Sequence, residues 1–468
     1  MSHLASLLGL CVFLLAACRT TPDVPPGVVP LSARFDSLAQ PYAFALPVLA
    51  PVEGVGGVRA GDCGRCHEAH YAEWRGSTHA RALHDLQFQA EITKPDAPKW
   101  LCLNCHAPAG NQRASLVTGL DGGDVLRPVT RPNPAFDAQM QAEGVTCAAC
   151  HVRPDPETGR SVIVGAFETD RAPHPVRVDP AALRDVCRRC HDPQGEPLTR
   201  NLVCWFETYR ELEEGRAALP PPLRSADCVT CHMPATRRRL AVGFDDLPLR
   251  TSHRHWWTGG GVPKTFGAYD SLLARGFAPA LDVAWAGLDG VDGGDSLRLT
   301  LHLTNRAAGH HLPTADPERF LLALVSLHDA GGDTLASTRL RIGQTWAWNP
   351  ARKLADHRLR QGETRVWTAT LPRPPGPPRG RLDVTVLHVR LTTSNARHMM
   401  TGAPAVDEAL LPGGRRLVAE LPAHYPFATY IYAASLDLAT GARRVATPEE
   451  LIARSKAEQG RPLPERVY

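Results

Sequence analysis

Five times in this chain a cysteine is followed three residues later by a second cysteine, and then at once by a histidine. The stretches are Cys63, Cys66 and His67; Cys102, Cys105 and His106; Cys147, Cys150 and His151; Cys187, Cys190 and His191; and Cys228, Cys231 and His232. A C-x-x-C pair alone fits a redox disulfide or half of a zinc site. Neither requires a histidine directly after the second cysteine, let alone five times. The full C-x-x-C-H pattern is the attachment signature of haem c. Its two cysteines, on one helical turn, form thioethers to the porphyrin, and its histidine supplies the proximal ligand of the iron. Five haem c groups constrain the fold more than any local periodicity, because the chain must wrap five large apolar discs.

Composition agrees with that demand. Aromatic residues make up only 6% of the 468, while Pro (42) and Gly (39) are plentiful, a mixture poor for a conventional core. Haem surfaces would provide the missing apolar area. The expected class is α+β: a domain of short helices and irregular connections around haems, followed by an antiparallel β-sandwich. A formal net charge of +4 is small for this length and does not point to nucleic acid. Of the 13 cysteines, ten lie in the motifs. Cys11 and Cys18 belong to the N-terminal apolar run, and only Cys204 is left over, so no even set remains for structural disulfides. Cys204 stands among large apolar residues and reads as a buried inert thiol rather than a reactive one.

The first 17 residues read as a secretory signal. Leu4 to Ala17 is apolar but too short to span a membrane comfortably, and no Lys or Arg precedes it. Leu15-Ala16-Ala17-Cys18 resembles the lipobox of bacterial lipoproteins, which implies acylation of Cys18. An ordinary cleaved signal is the alternative. Both readings export the chain, to the periplasm or the cell surface. Arg19 in place of the retention aspartate favours a lipid anchor in the outer membrane. Residues 18–57, rich in Pro and small residues, read as a tether. Residues 58–275 are the expected pentahaem domain, 276–395 the sandwich with immunoglobulin-like proportions, and 396–468 a C-terminal extension.

The motifs recur every 39 to 45 residues, but the sequence between them is not self-similar, so the spacing describes crowded haems rather than a solenoid. Each motif is expected on a short helix. Tyr71 to Trp74 continues the first. Asp179 and Pro180 open the helix leading into the fourth as N-cap and first residue. Val203 to Glu214 carries the longest helical pattern of this region. From about Leu281 the pattern turns to period two. Ser296–Thr304, Phe320–His328, Thr364–Leu371 and Arg381–Thr392 read as strands, separated by turns at Ala330–Asp333 and Pro374–Pro378. Pro448–Arg454 is a short helix in the extension.

A haem iron with one histidine binds small molecules, and with two it is saturated and carries electrons. Twenty histidines are present, five of them proximal, and at most five others can be second ligands. Four stand in stretches that resemble bacterial multihaem cytochromes of the cytochrome c-554 family. Trp74-Arg75-Gly76-Ser77-Thr78-His79-Ala80 is similar to the family's W-x-x-S-x-H-A segment. Ala172-Pro173-His174-Pro175 is similar to a second ligand-bearing stretch. His255-Trp256-Trp257 with Gly259-Gly260 looks like an H-x-W-x-G-G turn. Gly309-His310-His311-Leu312-Pro313-Thr314 resembles the G-H-x-x-P-T-G loop that points a histidine from the sandwich back into the haem domain. The resemblance implies that His79, His174, His255 and His310 are distal ligands. His253 remains the runner-up to His255, and Ala315 replaces the family's closing glycine, so that turn is expected to differ. For the fifth iron His84 ranks first, a turn and a half beyond His79 on a helix, beside the equal alternative of an open iron. His70 and His311 rank lower.

Three functions follow. The first is electron transfer through mostly bis-histidine haems, with other redox proteins or membrane quinol-linked cytochromes as partners. The alternative is a haem oxidoreductase acting on a small nitrogen or sulfur compound at one open iron. A surface docking module is the third. No catalytic residue set is apparent.

Overall fold

A computed structural model describes residues 26–193, 199–201, 206–291, 293–373 and 379–468. The signal, Cys18, the start of the tether, Cys204 and the Pro374–Pro378 turn lie outside the described residues. Among the described residues no helix is long and apolar enough to cross a membrane.

The haem-motif region is built from helices of eight residues or fewer among the described residues, with three small sheets between them. The motif helices are Ala60–Gly64, Lys99–His106, Cys147–His151, Arg188–His191 and Cys228–His232. Side-chain caps start only some of the short helices of this region. The Asp227 carboxylate accepts from the Thr230 N–H at the start of the last one, and Asp179 accepts from the Ala182 N–H ahead of Pro180–Asp185. Glu68–Arg75 continues the first motif. The helix expected over 203–214 runs over Thr208–Gly215 in its described part.

The tether requires correction. Val28–Val29 pairs antiparallel with Leu120–Asp121, and Phe35, Tyr42 and Ala43 pack against Leu101, Leu120 and Val125. Leu49 and Val52 join Ala109, Met140 and Ala148 in a second cluster. Pro30 and Pro41 open short helical turns, and the spaced apolar side chains lay the segment against the haem domain instead of holding that domain at a distance.

The C-terminal sheets follow their alternation. In Ser296–Asn305, Leu297, Leu299, Leu301 and Leu303 are all buried, one side of a period-two strand. That strand is the centre of a three-stranded sheet between Leu281–Asp289 and Thr364–Pro372. Facing it is a six-stranded sheet in the order Ala351–Asp356, Thr334–Trp348, Phe320–His328, Arg381–Val389, Ala428–Asp437 and Arg443–Val445. All neighbours are antiparallel. The sheets meet through Leu297, Leu299 and Leu301 on one side and Val325, Leu327, Leu382 and Val384 on the other. A split of three and six differs from the near-equal split of an immunoglobulin domain.

The boundary at 395 also moves. Ala428–Asp437 pairs along the whole of Arg381–Val389, so the sandwich closes only near residue 445. The residues between, 390–427, make helices Thr393–Thr401, Gly414–Ala419 and Leu421–His424. Their apolar faces bury Leu86 and Ala90 of the haem domain together with Tyr425 and Phe427. The expected helix at 448 spans Pro448–Gln459, with Thr447 as its cap in a capping box with Glu450. What looked like an extension joins both domains.

Candidate haem-binding core

One connected cavity of about 2100 Å³ runs through the haem domain, several times the size of a single small-ligand site. All ten motif cysteines and all five motif histidines line it. None of the ten cysteines is paired in a disulfide. Among the described residues, no group of three or more His, Cys, Asp or Glu side chains is arranged to hold a metal by itself.

Ring orientation is set from behind. Nδ1 of His67 lies 2.7 Å from the Leu240 carbonyl, that of His106 2.7 Å from Ala82, that of His151 3.0 Å from Val164 and that of His232 2.6 Å from Thr258. A carbonyl only accepts, so Nδ1 carries the proton and Nε2 keeps a lone pair for a metal. The same device holds His255 through the His253 carbonyl at 3.0 Å, and His310 through the His311 carbonyl at 2.9 Å. Burial favours the neutral ring that binds iron, pushing His79 down to about 3 and His106, His191 and His255 to about 4.

Four motif histidines each face a second imidazole across the cavity. The ring centroids are 6.4 Å apart for His67 and His174, 6.2 Å for His191 and His79, 6.1 Å for His151 and His255, and 6.2 Å for His232 and His310. Metal–imidazole bonds of about 2 Å on both sides of one iron, plus the ring radii, give a centroid separation of about 6 Å. The four partners are those carrying the family-like stretches. His253 instead sends Nδ1 to the Met233 carbonyl at 2.7 Å, on a strand edge.

The ring against His106 is Phe88, stacked at 3.7 Å and 6°. His84 is absent from the cavity lining and sits beside Arg81. Residues 77–84 form turns rather than a helix, so the helical spacing that would have carried His84 behind His79 does not exist. His70 does line the cavity, edge-on between His67 at 5.8 Å and His255 at 5.2 Å. Near His106 stands a buried polar group. Asp85 pairs with Lys264 and accepts from the Tyr425 hydroxyl at 3.1 Å. Burial pushes Lys264 down to about 8 against the pull of Asp85. For Asp85, burial would raise the carboxyl, but Lys264 and Arg390 hold it down at about 2.

Attachment sites touch out of sequence order. Cys63 lies against Cys147, Cys105 against Cys190, and Cys187 against Cys228. Cys150 is also near Cys190. The fourth site therefore adjoins the second, third and fifth.

Sequence reading missed two buried glutamates, and it named Trp257 only as part of the turn that carries His255. Glu73 accepts from Arg238 at 2.7 and 3.0 Å, from Arg254 at 2.9 Å and from the His255 N–H at 3.0 Å. Burial would raise its carboxyl, and these donors hold it below the usual range. Glu211 accepts from Arg358 at 2.6 Å, from the Thr314 hydroxyl at 2.6 Å and from the His311 N–H at 3.1 Å. Trp257 touches both His79 and His255, at 4.2 and 5.6 Å, from a left-handed backbone with φ of 49°, a conformation rare for a bulky residue. No local pattern marks the two glutamates, whereas Trp257 is the tryptophan of the H-x-W-x-G-G turn. Ala315 also adopts φ of 70°, so the turn that the missing glycine put in doubt keeps the left-handed conformation a glycine would take.

Residues 62–152, which hold the first three motifs and His79, match the family model described as cytochrome c554 and c-prime. No curated protein matches the chain. Among solved structures, the chain is similar to a penta-haem cytochrome c552 from Thermochromatium tepidum. The identity is 19%, covering 82% of this chain and 100% of that one, with a TM-score of 0.52. The fold is that of a multihaem cytochrome, and the family match covers three of the five C-x-x-C-H motifs.

Proposed function

We propose that this chain is an exported electron carrier with five haem c groups, four of them ligated by two histidines. The observation that carries the reading is the set of four imidazole pairs at 6.1 to 6.4 Å. The ligand pairs are His67 with His174, His191 with His79, His151 with His255, and His232 with His310. The haems bring the redox-active irons. The chain orients His67, His151, His232, His255 and His310 through carbonyls at Nδ1, burial favours the neutral ring at His79, His191 and His255, and the attachment sites are crowded. With the fourth site adjoining three others, the electron path branches there instead of following sequence order. Donors and acceptors are other redox proteins or membrane quinol-linked cytochromes, met in the periplasm or at the outer membrane by a chain anchored through Cys18. The alternative, chemistry on a small nitrogen or sulfur compound at an open iron, attaches to one site only. That site is His106, where a phenylalanine contacts the ring, while His388 lines the same cavity with Nδ1 on the Gly260 carbonyl at 3.1 Å and Nε2 buried without a hydrogen-bond partner.

Electron paramagnetic resonance of the oxidised protein tests the reading, with the mass of the denatured protein giving the haem count. Five haem groups are expected, with four low-spin irons and one high-spin. A high-spin signal that shifts with nitrite or hydroxylamine would favour the alternative. Two or more high-spin irons in the parent protein would sink the four-pair assignment.

A further inference from the structure

We infer that Glu73 and Glu211 are positioning residues that hold two iron ligands, His255 and His310, in place through the backbone of their loops. The inference rests on the ligand pairs proposed above. Each glutamate lies in a helix of the haem domain, Glu73 in Glu68–Arg75 and Glu211 in Thr208–Gly215. Each is buried, at 8% and 3% exposure. Neither helix carries the histidine that its glutamate holds. His255 comes from the loop after the fifth motif, 182 residues from Glu73. His310 comes from the sandwich.

The two sites use the same three parts. The first is a backbone N–H at the ligand: that of His255 itself on Glu73 at 3.0 Å, and that of His311, the next residue to His310, on Glu211 at 3.1 Å. The second is an arginine that neutralises the buried carboxylate, Arg238 with Arg254 in one case and Arg358 in the other. A buried carboxylate without such a partner would be strongly destabilising. The third is a further tie on the loop. Arg238 reaches the His253 carbonyl at 3.2 Å and the Ser252 hydroxyl at 3.0 Å. On the other side the Thr314 hydroxyl donates to Glu211 at 2.6 Å, while Gln361 donates to the Gly309 carbonyl at 2.8 Å. His310 is thereby bracketed, with its neighbours on both sides fixed. Nδ1 of each ligand is occupied by a carbonyl of its own loop. That bond orients the ring relative to the loop but does nothing to hold the loop near the iron. The glutamates supply that second constraint, the outer support that ligand geometry requires.

The arrangement predicts a spectroscopic effect that general loosening of the fold would not produce. In the full-length holoprotein, Glu211→Ala should turn one iron, that facing His232, from low to high spin in at least half of the molecules. Carbon monoxide should then bind to that haem. Glu73→Ala should do the same for the His151 haem. The reference is the double variant His310→Ala with His311→Ala, which removes the ligand and its neighbouring substitute. Adding Glu211→Ala to it should create no further high-spin iron, because both changes act on one site. If the histidine variant gains a high-spin haem while Glu211→Ala keeps the parent spectrum, the positioning role is wrong and the ligation stands. If the histidine variant also keeps the parent spectrum, the ligand assignment itself fails. Should Glu211→Ala not fold, Glu211→Gln keeps the shape and one acceptor but loses the charge that holds Arg358. Carbon monoxide should then bind one haem at least tenfold faster than in the parent, and a parent-like rate overturns the proposal.

Discussion

Leu297, Leu299 and Leu301 close a strand against Val325, Leu382 and Val384, and side chains alone complete that core. The five motif helices, only a few residues each, face a cavity of about 2100 Å³ instead. In the sandwich the apolar partner of each buried residue is another residue, so the pattern that buries it is written in the chain. In the haem domain, on the reading proposed above, the partners are the porphyrins, and the chain contributes attachment points and ligands. Stability in the first region is a property of the sequence, and in the second it depends on what has been covalently bound.

Removing a cofactor should separate the two most strongly. Cys147→Ala with Cys150→Ala abolishes one attachment, and the mass should fall by one haem group. Leaving several hundred Å² of apolar wall uncovered costs on the order of 5–10 kcal/mol, at about 25 cal/mol per Å². Calorimetry should show the haem-domain transition collapse while the sandwich transition stays. A single unchanged transition would refute the contrast. Next in size is a cavity in the protein-only core. Leu301 is fully buried, so Leu301→Ala should cost about 2–5 kcal/mol, read by tryptophan fluorescence in denaturant. Haem absorbance should change only through the iron of His310. If all five haems melt in step with the sheet, the regions form one cooperative unit. The smallest effect sits on the loop between the regions. Ala315 at φ of 70° pays about 1–2 kcal/mol of left-handed strain. Ala315→Gly removes it but frees the unfolded chain, worth about 0.4–1 kcal/mol. The net gain should be about 0.5–1 kcal/mol in denaturant midpoint, without a spectral change. A loss of stability would mean that the alanine methyl makes a contact outweighing the strain.

How far the sequence could be read follows the same division. The C-x-x-C-H motifs and the strands from Leu281 are local patterns, five residues long or of period two, and were legible. So were the four stretches around His79, His174, His255 and His310, although nothing in them says which motif histidine each one faces. His84 failed because its case assumed a helix where the chain turns. The tether failed because Phe35, Tyr42 and Leu49 find partners such as Leu101 and Met140, far along the chain. Thr334–Trp348, the longest strand, went unlisted among the expected strands although Leu340 and Ile342 alternate with Arg339 and Arg341. Glu73 and Glu211 look like ordinary helix-surface residues until the arginines from distant segments arrive.

The helices of 390–427 have one more consequence, in the timing of assembly. They cover Leu86 and Ala90, beside the second haem site, and the strand that follows them completes the six-stranded sheet. A chain emerging from its N-terminus offers Cys102 and Cys105 long before that cover exists. The second site thus stays open to whatever attaches the haem until almost the whole protein has been delivered. On the proposed reading that cover would be fitted after loading, and a chain cut short near residue 395 would keep its C-x-x-C-H motifs and lose the packing on Leu86 and Ala90.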